Sequence, residues 1–196
     1  MDKDTVKRFF DRYARQWDAR QVRHEDRIRR ILDVAEIREG VSVLDVACGT
    51  GLFSRGLLAK ASEVYGVDLS WGMLQQAREY SSEMKLVRAG ADKLPFQDDS
   101  FDLVICFVAF HLFDNVGKVL KEMHRVLVEG GVLVGLTYLL TAEWEKEEHI
   151  QTYLDPQGIH FFTVDELDEL LGGGHRRRLY HLPILRPFHP RSGDGL

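Results

Sequence analysis

Residues 43–51, VLDVACGTG, constrain this chain more than any other segment. A short β-branched run ends in Gly49-Thr50-Gly51, and a helix-compatible apolar stretch begins at Leu52. Two glycines let a backbone turn sharply and approach a ligand closely. A helix starting after such a turn presents N–H groups to a negative ligand group. Gly-rich turns are common in βα connections, so the weight rests on what surrounds this one.

The alternation continues downstream. Val41–Ala47, Glu63–Val67, Lys85–Ala89, Asp102–Phe107 and Val132–Leu136 have the length and composition of buried strands. Helices are expected at Leu52–Ala61, Gly72–Ser81 and Val116–Val128. Asp114 or Asn115 is placed to cap the last of these, and Gly130-Gly131 to stop it. Strand and helix in alternation predict a doubly wound parallel sheet with helices on both faces. In such a sheet ligands bind beyond the carboxyl ends of the strands, where strand order reverses.

Before the sheet, Val6, Phe9, Phe10, Tyr13 and Trp17 mark one amphipathic helix. Ile28, Ile31, Leu32 and Ala35 mark a second, ending near Gly40. After it, Thr163-Val164-Asp165-Glu166 opens a helix with a capping box, which runs to about Leu171 and ends at Gly172. Arg177–Leu182 has strand character, and Pro183, Pro187 and Pro190 suit an edge strand or a loop. The expected organisation is one domain over residues 1–190. Residues 1–39 would form a helical lid, 40–140 a ligand-binding core, and 141–190 the C-terminal helices and edge strands, with 191–196 a disordered tail.

Charge and composition exclude several classes. A net charge of −5 gives no global attraction for nucleic acid or an anionic membrane. Residues 143–169 hold nine acids against one lysine, and Arg176, Arg177 and Arg178 follow. These read as solvated faces of opposite sign, or as a contact surface. Cys48 and Cys106 lie in apolar runs without CxxC spacing, which points to buried thiols in a reducing compartment. His149, His160, His175, His181 and His189 lack ligand spacing, so no metal site is expected. The charged N-terminus has no signal-peptide core, and Val132–Leu140 is too short to span a bilayer. A cytoplasmic protein acting on a small molecule, monomeric or homodimeric, is expected.

Two acids narrow the ligand. Asp45 lies in the end of the first strand, where a carboxylate is costly unless something cationic pairs with it. Asp68 ends the second strand, where a doubly wound fold places an acid beside a ribose. The ligand would then carry a cationic amino group and a ribose. A dinucleotide is the rival, but its fingerprint needs a glycine where Ser54 stands, and Asp45 would repel a pyrophosphate.

The segment Val43–Gly51 resembles the first motif of the class I S-adenosylmethionine-dependent methyltransferases. The likeness runs through Gly66-Val67-Asp68-Leu69-Ser70, Met73-Leu74, Leu94-Pro95-Phe96 and Ser100-Phe101-Asp102, and ends at Arg125–Gly131. It is closest to the small-molecule branch of ubiquinone and menaquinone biosynthesis, whose opening helix Phe10–Ala14 and Trp17-Asp18 also resemble. It implies a Rossmann-like, mostly parallel sheet of seven strands, with S-adenosylmethionine as the cofactor. The resemblance implies that Asp45 and the backbone of Ala47, Cys48, Gly49, Thr50 and Gly51 hold the methionine end. Asp68 would hold the ribose, Leu69 and Met73 would wall the adenine, and the Ala91 N–H would face an adenine ring nitrogen. The Phe107 carbonyl would line the methionine side. The branch usually has an acid where Gly90 stands, so either Asp92 or water would serve the adenine amino group here.

Methyl transfer asks an enzyme mainly to position the acceptor and exclude water. His111, just past the fourth strand, is the candidate base or acceptor-orienting residue, since an ordinary imidazole titrates near neutrality. Tyr13, Trp17 and Phe110 are candidates for the lid and the acceptor pocket. The surrounding aromatic residues (Phe10, Phe113, Tyr138, Phe161 and Phe162) point to a partly apolar acceptor. The alternative is a protein that binds S-adenosylmethionine without transferring its methyl group.

Overall fold

The structure, a computed structural model, describes residues 2–21 and 38–136. Among these residues five runs form strands: β1 (Ser42–Val46), β2 (Glu63–Asp68), β3 (Lys85–Arg88), β4 (Phe101–Phe107) and β5 (Leu127–Leu136). All pair in parallel, in the order β3-β2-β1-β4-β5. The chain builds outward from β1 to β3, then returns to the other side of β1. The reversal between β1 and β4 opens the crevice that such sheets use for ligands.

The alternation of side chains explains the two covered faces. Leu44, Val46, Val104 and Cys106 pack on one side with Met123 and Val119. Val43, Leu103, Ile105 and Phe107 pack on the other with Leu57 and Met84. Among the described residues three α-helices accompany the strands: α1 (Lys3–Gln21), α2 (Trp71–Tyr80) and α3 (Val116–Val126). Ser70 caps α2 by accepting from the Met73 N–H at 3.1 Å, and Asn115 caps α3 by accepting from the Lys118 N–H at 2.9 Å.

Two expectations are corrected. Residues 52–61 form no α-helix; only a single 3₁₀ turn, Ser54–Leu57, interrupts the loop. Gly56 inside that stretch weakens a helix by about 1 kcal/mol relative to alanine. In addition, Gly130-Gly131 do not stop α3. The helix ends at Val126 because Leu127 is already extended and pairs with Phe101. The next pairing is Leu103 with Val132, so residues 128–131 bulge out of β5, with Gly130 at φ +76°. The helix expected around Ile28–Ala35, the elements from Thr163 onward, the last two strands and the tail lie outside the described residues.

Candidate active site

A cavity of about 620 Å³ opens beyond the carboxyl ends of β1, β2, β3 and β4. That size suits a ligand of nucleoside scale or larger. Its floor is the end of β1. Asp45 is 2% exposed, and its Oδ2 has no hydrogen-bond partner. Burial raises its pKa from 3.8 to about 7, opposed by a Ser54 hydrogen bond and reinforced by the nearby charge of Asp68. A buried oxygen of this kind calls for a donor, and a cationic amino group is the strongest one.

The glycine loop follows. Its amides are largely spent on the loop itself. The Cys48 N–H donates to the Val67 carbonyl at 3.0 Å, Gly51 to the Cys48 carbonyl at 2.8 Å, and Gly49 to Asp68 Oδ2 at 2.8 Å. Only a 3₁₀ turn follows, and these three amides hold the loop in place. Ala47, Cys48, Gly49 and Thr50 line the cavity, whereas Gly51 does not. Gly51 has φ +70°, and a Cβ there would stand 2.8 Å from Met84 Sδ, so its glycine is needed for the turn and the core.

Asp68 ties β2 to that loop. Its Oδ1 accepts from the Ser70 N–H at 2.8 Å while Oδ2 takes Gly49. Burial raises its pKa to about 6, against the pull of these N–H bonds. Each oxygen keeps a lone pair for a further donor such as a sugar hydroxyl. Leu69 and Met73 continue the wall, and Ala91, Gly90 and Asp92 form it at the end of β3.

The side beyond β4 is apolar and strained. Phe107 lines the cavity and meets Phe53 edge to face at 5.7 Å. Val108 follows at φ +56°, and Ala47 in the matching place after β1 has φ +59°. Left-handed non-glycine residues cost about 1–2 kcal/mol each, and such costs cluster at functional sites. His111 lines the cavity and is 5% exposed. Desolvation lowers its pKa from 6.5 to about 4. The expectation of an imidazole titrating near neutrality is therefore corrected: at pH 7 His111 is neutral and only a weak base. Phe110 does not line the cavity; it is buried beneath β5, against Phe113 at 5.9 Å.

Helix α1 lies across the opening. Val6, Phe9, Phe10 and Trp17 face the cavity, with Phe10 and Trp17 in edge contact at 5.0 Å. Tyr13 does not line it; its ring packs on Phe9 at 4.8 Å. The acids of α1 tie it down. Asp18 accepts from the Thr50 hydroxyl and from Arg55 at 2.8 Å. Asp11 Oδ1 accepts from the Ser70 hydroxyl at 2.6 Å and the Gly72 N–H at 2.8 Å. Asp92 pairs with Lys3 at 2.5 Å and with Lys118 at 3.1 Å.

Arg125 pins the Leu94-Pro95-Phe96 segment. It donates to the Leu94 carbonyl at 3.0 Å and the Phe96 carbonyl at 2.8 Å while pairing with Glu122 and Asp98. That motif is scaffolding for the wall at β3. Tyr138, Phe161 and Phe162 lie outside the described residues. Among the described residues no group of three or more His, Cys, Asp or Glu could hold a metal ion, and no helix is long and apolar enough to cross a membrane.

Residues 44–135 match a family described as the methyltransferase domain. A demethylmenaquinone methyltransferase of Staphylococcus aureus is 34% identical over 146 residues, covering 69% of this chain and 61% of the relative. The chain thus spans about three-fifths of the length of the curated relatives it matches. Among solved structures, the YcgJ protein of Bacillus subtilis is 26% identical with a TM-score of 0.65, covering 73% of this chain and 64% of the other. An S-adenosylmethionine-dependent methyltransferase of Thermotoga maritima is 25% identical with a TM-score of 0.66, covering 84% and 78%.

Proposed function

We propose that this chain, which belongs to the class I S-adenosylmethionine-dependent methyltransferases, transfers a methyl group from S-adenosylmethionine to a small, partly apolar acceptor. The observation that carries the reading is Asp45, a buried carboxylate with an unpartnered oxygen on the floor of the cavity. It fits the ammonium of the methionine end, as the spare lone pairs of Asp68 fit ribose hydroxyls. When bound, S-adenosylmethionine supplies a methyl group on a sulfonium, activated for in-line displacement.

The chain's own residues bind, orient and exclude water. Leu69 and Met73 would flank the base, the Ala91 N–H would face a ring nitrogen, and the Phe107 carbonyl would line the methionine side. Ala47, Cys48, Gly49 and Thr50 shape the floor beside Asp45, with Gly51 holding the turn behind them. Trp17 and Phe10 present aromatic surface from α1, which attracts a cation and keeps water out. His111 is an orienting residue: neutral at pH 7, it can bond an acceptor hydroxyl or amine, and its low basicity makes it a poor proton acceptor. The apolar walls at Phe9, Leu112 and Phe113 support a partly hydrophobic acceptor. The Staphylococcus relative, a demethylmenaquinone methyltransferase, supports the same class.

Calorimetry with S-adenosylhomocysteine and isotope-labelled methyl transfer to lipophilic phenols and quinols test the reading. Binding with turnover of that panel is expected. Turnover confined to polar metabolites overturns the acceptor class. Binding without turnover on any acceptor favours the alternative of a protein that binds the cofactor without using it. Absence of binding overturns the reading altogether.

A further inference from the structure

The outer side of α1 carries a patch that the site does not use. At about 100° per residue, Phe10 and Trp17 share one side of the helix and face the cavity. Arg8, Arg12 and Arg15 fall on the opposite side, within an arc of about 60°, and all three are exposed. Arg8 reaches the Thr5 hydroxyl at 3.4 Å, and Arg12 lies 5.6 Å from the ring of its neighbour Tyr13. The nearest acids along the helix are turned inward. Asp11 is spent on Lys7, Ser70 and Gly72, and Asp18 on Thr50 and Arg55. The exposed acids Asp2 and Asp4 stand at the start of the helix, so positive charge gathers over residues 8–15.

An indole stands beside this patch. A Cβ on Gly72 would lie 3.0 Å from the Cα of Asp11, so the start of α2 abuts α1 at a point between Arg8 and Arg12 in the chain. Trp71, the first residue of α2, is 54% exposed. Arginines beside an exposed tryptophan match the headgroup layer of an anionic bilayer, where the cations meet phosphate and the amphipathic indole sits at the boundary. What favours a bilayer over a nucleic acid is the cavity beneath the same helix. Val6, Phe9, Phe10 and Trp17 give it an apolar cover, and a partly apolar acceptor partitions into lipid.

We propose that the outer side of α1, with Arg8, Arg12, Arg15 and Trp71, docks the protein on an anionic bilayer, from which the cavity draws its acceptor. Docking stands apart from the methyl-transfer reading; only what the bilayer delivers rests on that reading. The net charge of −5 does not prevent it, because charges act within about a Debye length, roughly 8 Å at physiological salt, and the patch is what comes that near. The helix then serves with both sides, the apolar one covering the cavity and the basic one meeting headgroups.

Flotation of the full chain with vesicles tests this, using phosphatidylcholine alone and phosphatidylcholine mixed with phosphatidylglycerol. Binding to the anionic vesicles is expected, with none to the neutral ones and with loss in about 0.5 M salt. Arg8→Gln, Arg12→Gln and Arg15→Gln combined should weaken it about 100-fold, the value of three arginines near an anionic surface. Trp71→Ala should weaken it further. These variants should keep their affinity for S-adenosylhomocysteine, since none of the four residues lines the cavity. Equal binding to neutral and anionic vesicles, or binding unchanged in the triple variant, would overturn the proposal. So would capture of a single-stranded RNA with no binding to vesicles, which would make the patch a nucleic-acid surface. If the triple variant proves unfolded in a thermal melt, the salt dependence of the unaltered protein decides, and binding that survives about 0.5 M salt overturns the proposal. Failure of S-adenosylhomocysteine to bind, with vesicle binding as expected, would instead overturn the function proposed for the cavity and leave the docking surface standing.

Discussion

Replacing Asp45 by asparagine should make the ligand-free protein more stable and a worse binder. Burial holds the Asp45 pKa at about 7 against an ordinary 3.8. Three units at about 1.36 kcal/mol each give a ceiling of about 4 kcal/mol that the folded, ligand-free state gives up to keep this group ionised. The sign follows from linkage. The folded state holds the proton more tightly than the unfolded state, so the group's stabilising contribution is full below about pH 4. It is lost progressively as the pH rises through about 7. Asparagine cannot ionise. The difference in melting temperature between Asp45→Asn and the unaltered protein should be near zero at pH 4 and grow to a plateau above pH 7. For a chain of this size the plateau is on the order of 10 °C. Calorimetric or fluorescence melts across pH 4–8, with no ligand present, read this directly. S-adenosylhomocysteine affinity at pH 8 should meanwhile fall about 10- to 100-fold, the value of a hydrogen bond to a charged group. A melting temperature lowered equally at pH 4 and pH 8, with affinity unchanged, would refute the reasoning, because Asp45 would then be a structural group whose charge costs nothing.

Three further outcomes are expected. Ala47→Gly relieves the left-handed φ of +59° and should raise stability by about 1 kcal/mol, read as a few degrees in a thermal melt. Gly51→Ala forces a Cβ toward Met84 at φ +70° and should destabilise by about 2 kcal/mol, read as a lower urea midpoint. Asp18→Ala frees Thr50 and Arg55 from α1, at about 1 kcal/mol for a partly exposed pair. Hydrogen exchange over residues 3–21 should quicken, and S-adenosylhomocysteine affinity should fall about fivefold.

The central strands β1 and β4 were readable because each is a short, mainly apolar run whose two faces are both covered, as with Leu44 and Val43 on opposite sides of β1. Asp45 and Asp68 stand out in the sequence for a related reason: an acid inside or ending such a run is costly to bury without partners. The span 52–61 misled because its apolar spacing is helical while Gly56 and the pull of Arg55 toward Asp18 favour a loop. Gly130-Gly131 misled because a glycine pair after a periodic run has the form of a helix stop. Here the stop comes from a long-range pairing of Leu127 with Phe101, and the glycines serve a bulge. Lys3, Lys118 and Asp18 gave no local signal. Their partners lie far along the chain, Lys3 to Asp92 being 89 residues apart, and only the packing of α1 over the strand ends brings them together. His111 shows the limit from the other side. Its position was readable, but burial, which reverses its usefulness as a base, is a property of the assembled walls.

The costs of this site are spatially concentrated. Ala47 and Val108 take left-handed backbone immediately after the two central strands, and Asp45 and Asp68 sit as buried acids at the ends of β1 and β2. The charge of Asp68 adds to the burden on Asp45, contributing to its upward shift. A ligand bearing a cation at one acid and hydroxyl donors at the other removes part of both costs at once. Bound free energy therefore appears as stability in the same residues that were destabilised without it. Helix α1 is expected to gain by the same event: Asp11, Asp18 and Lys3 already grip the start of α2, the loop and Asp92, and a filled cavity gives Val6, Phe9, Phe10 and Trp17 an apolar and cationic surface in place of water. Strained strand ends, buried acids and the covering helix thus meet around one cavity, and a ligand with a cation for one acid and hydroxyl donors for the other is expected to stabilise all three together.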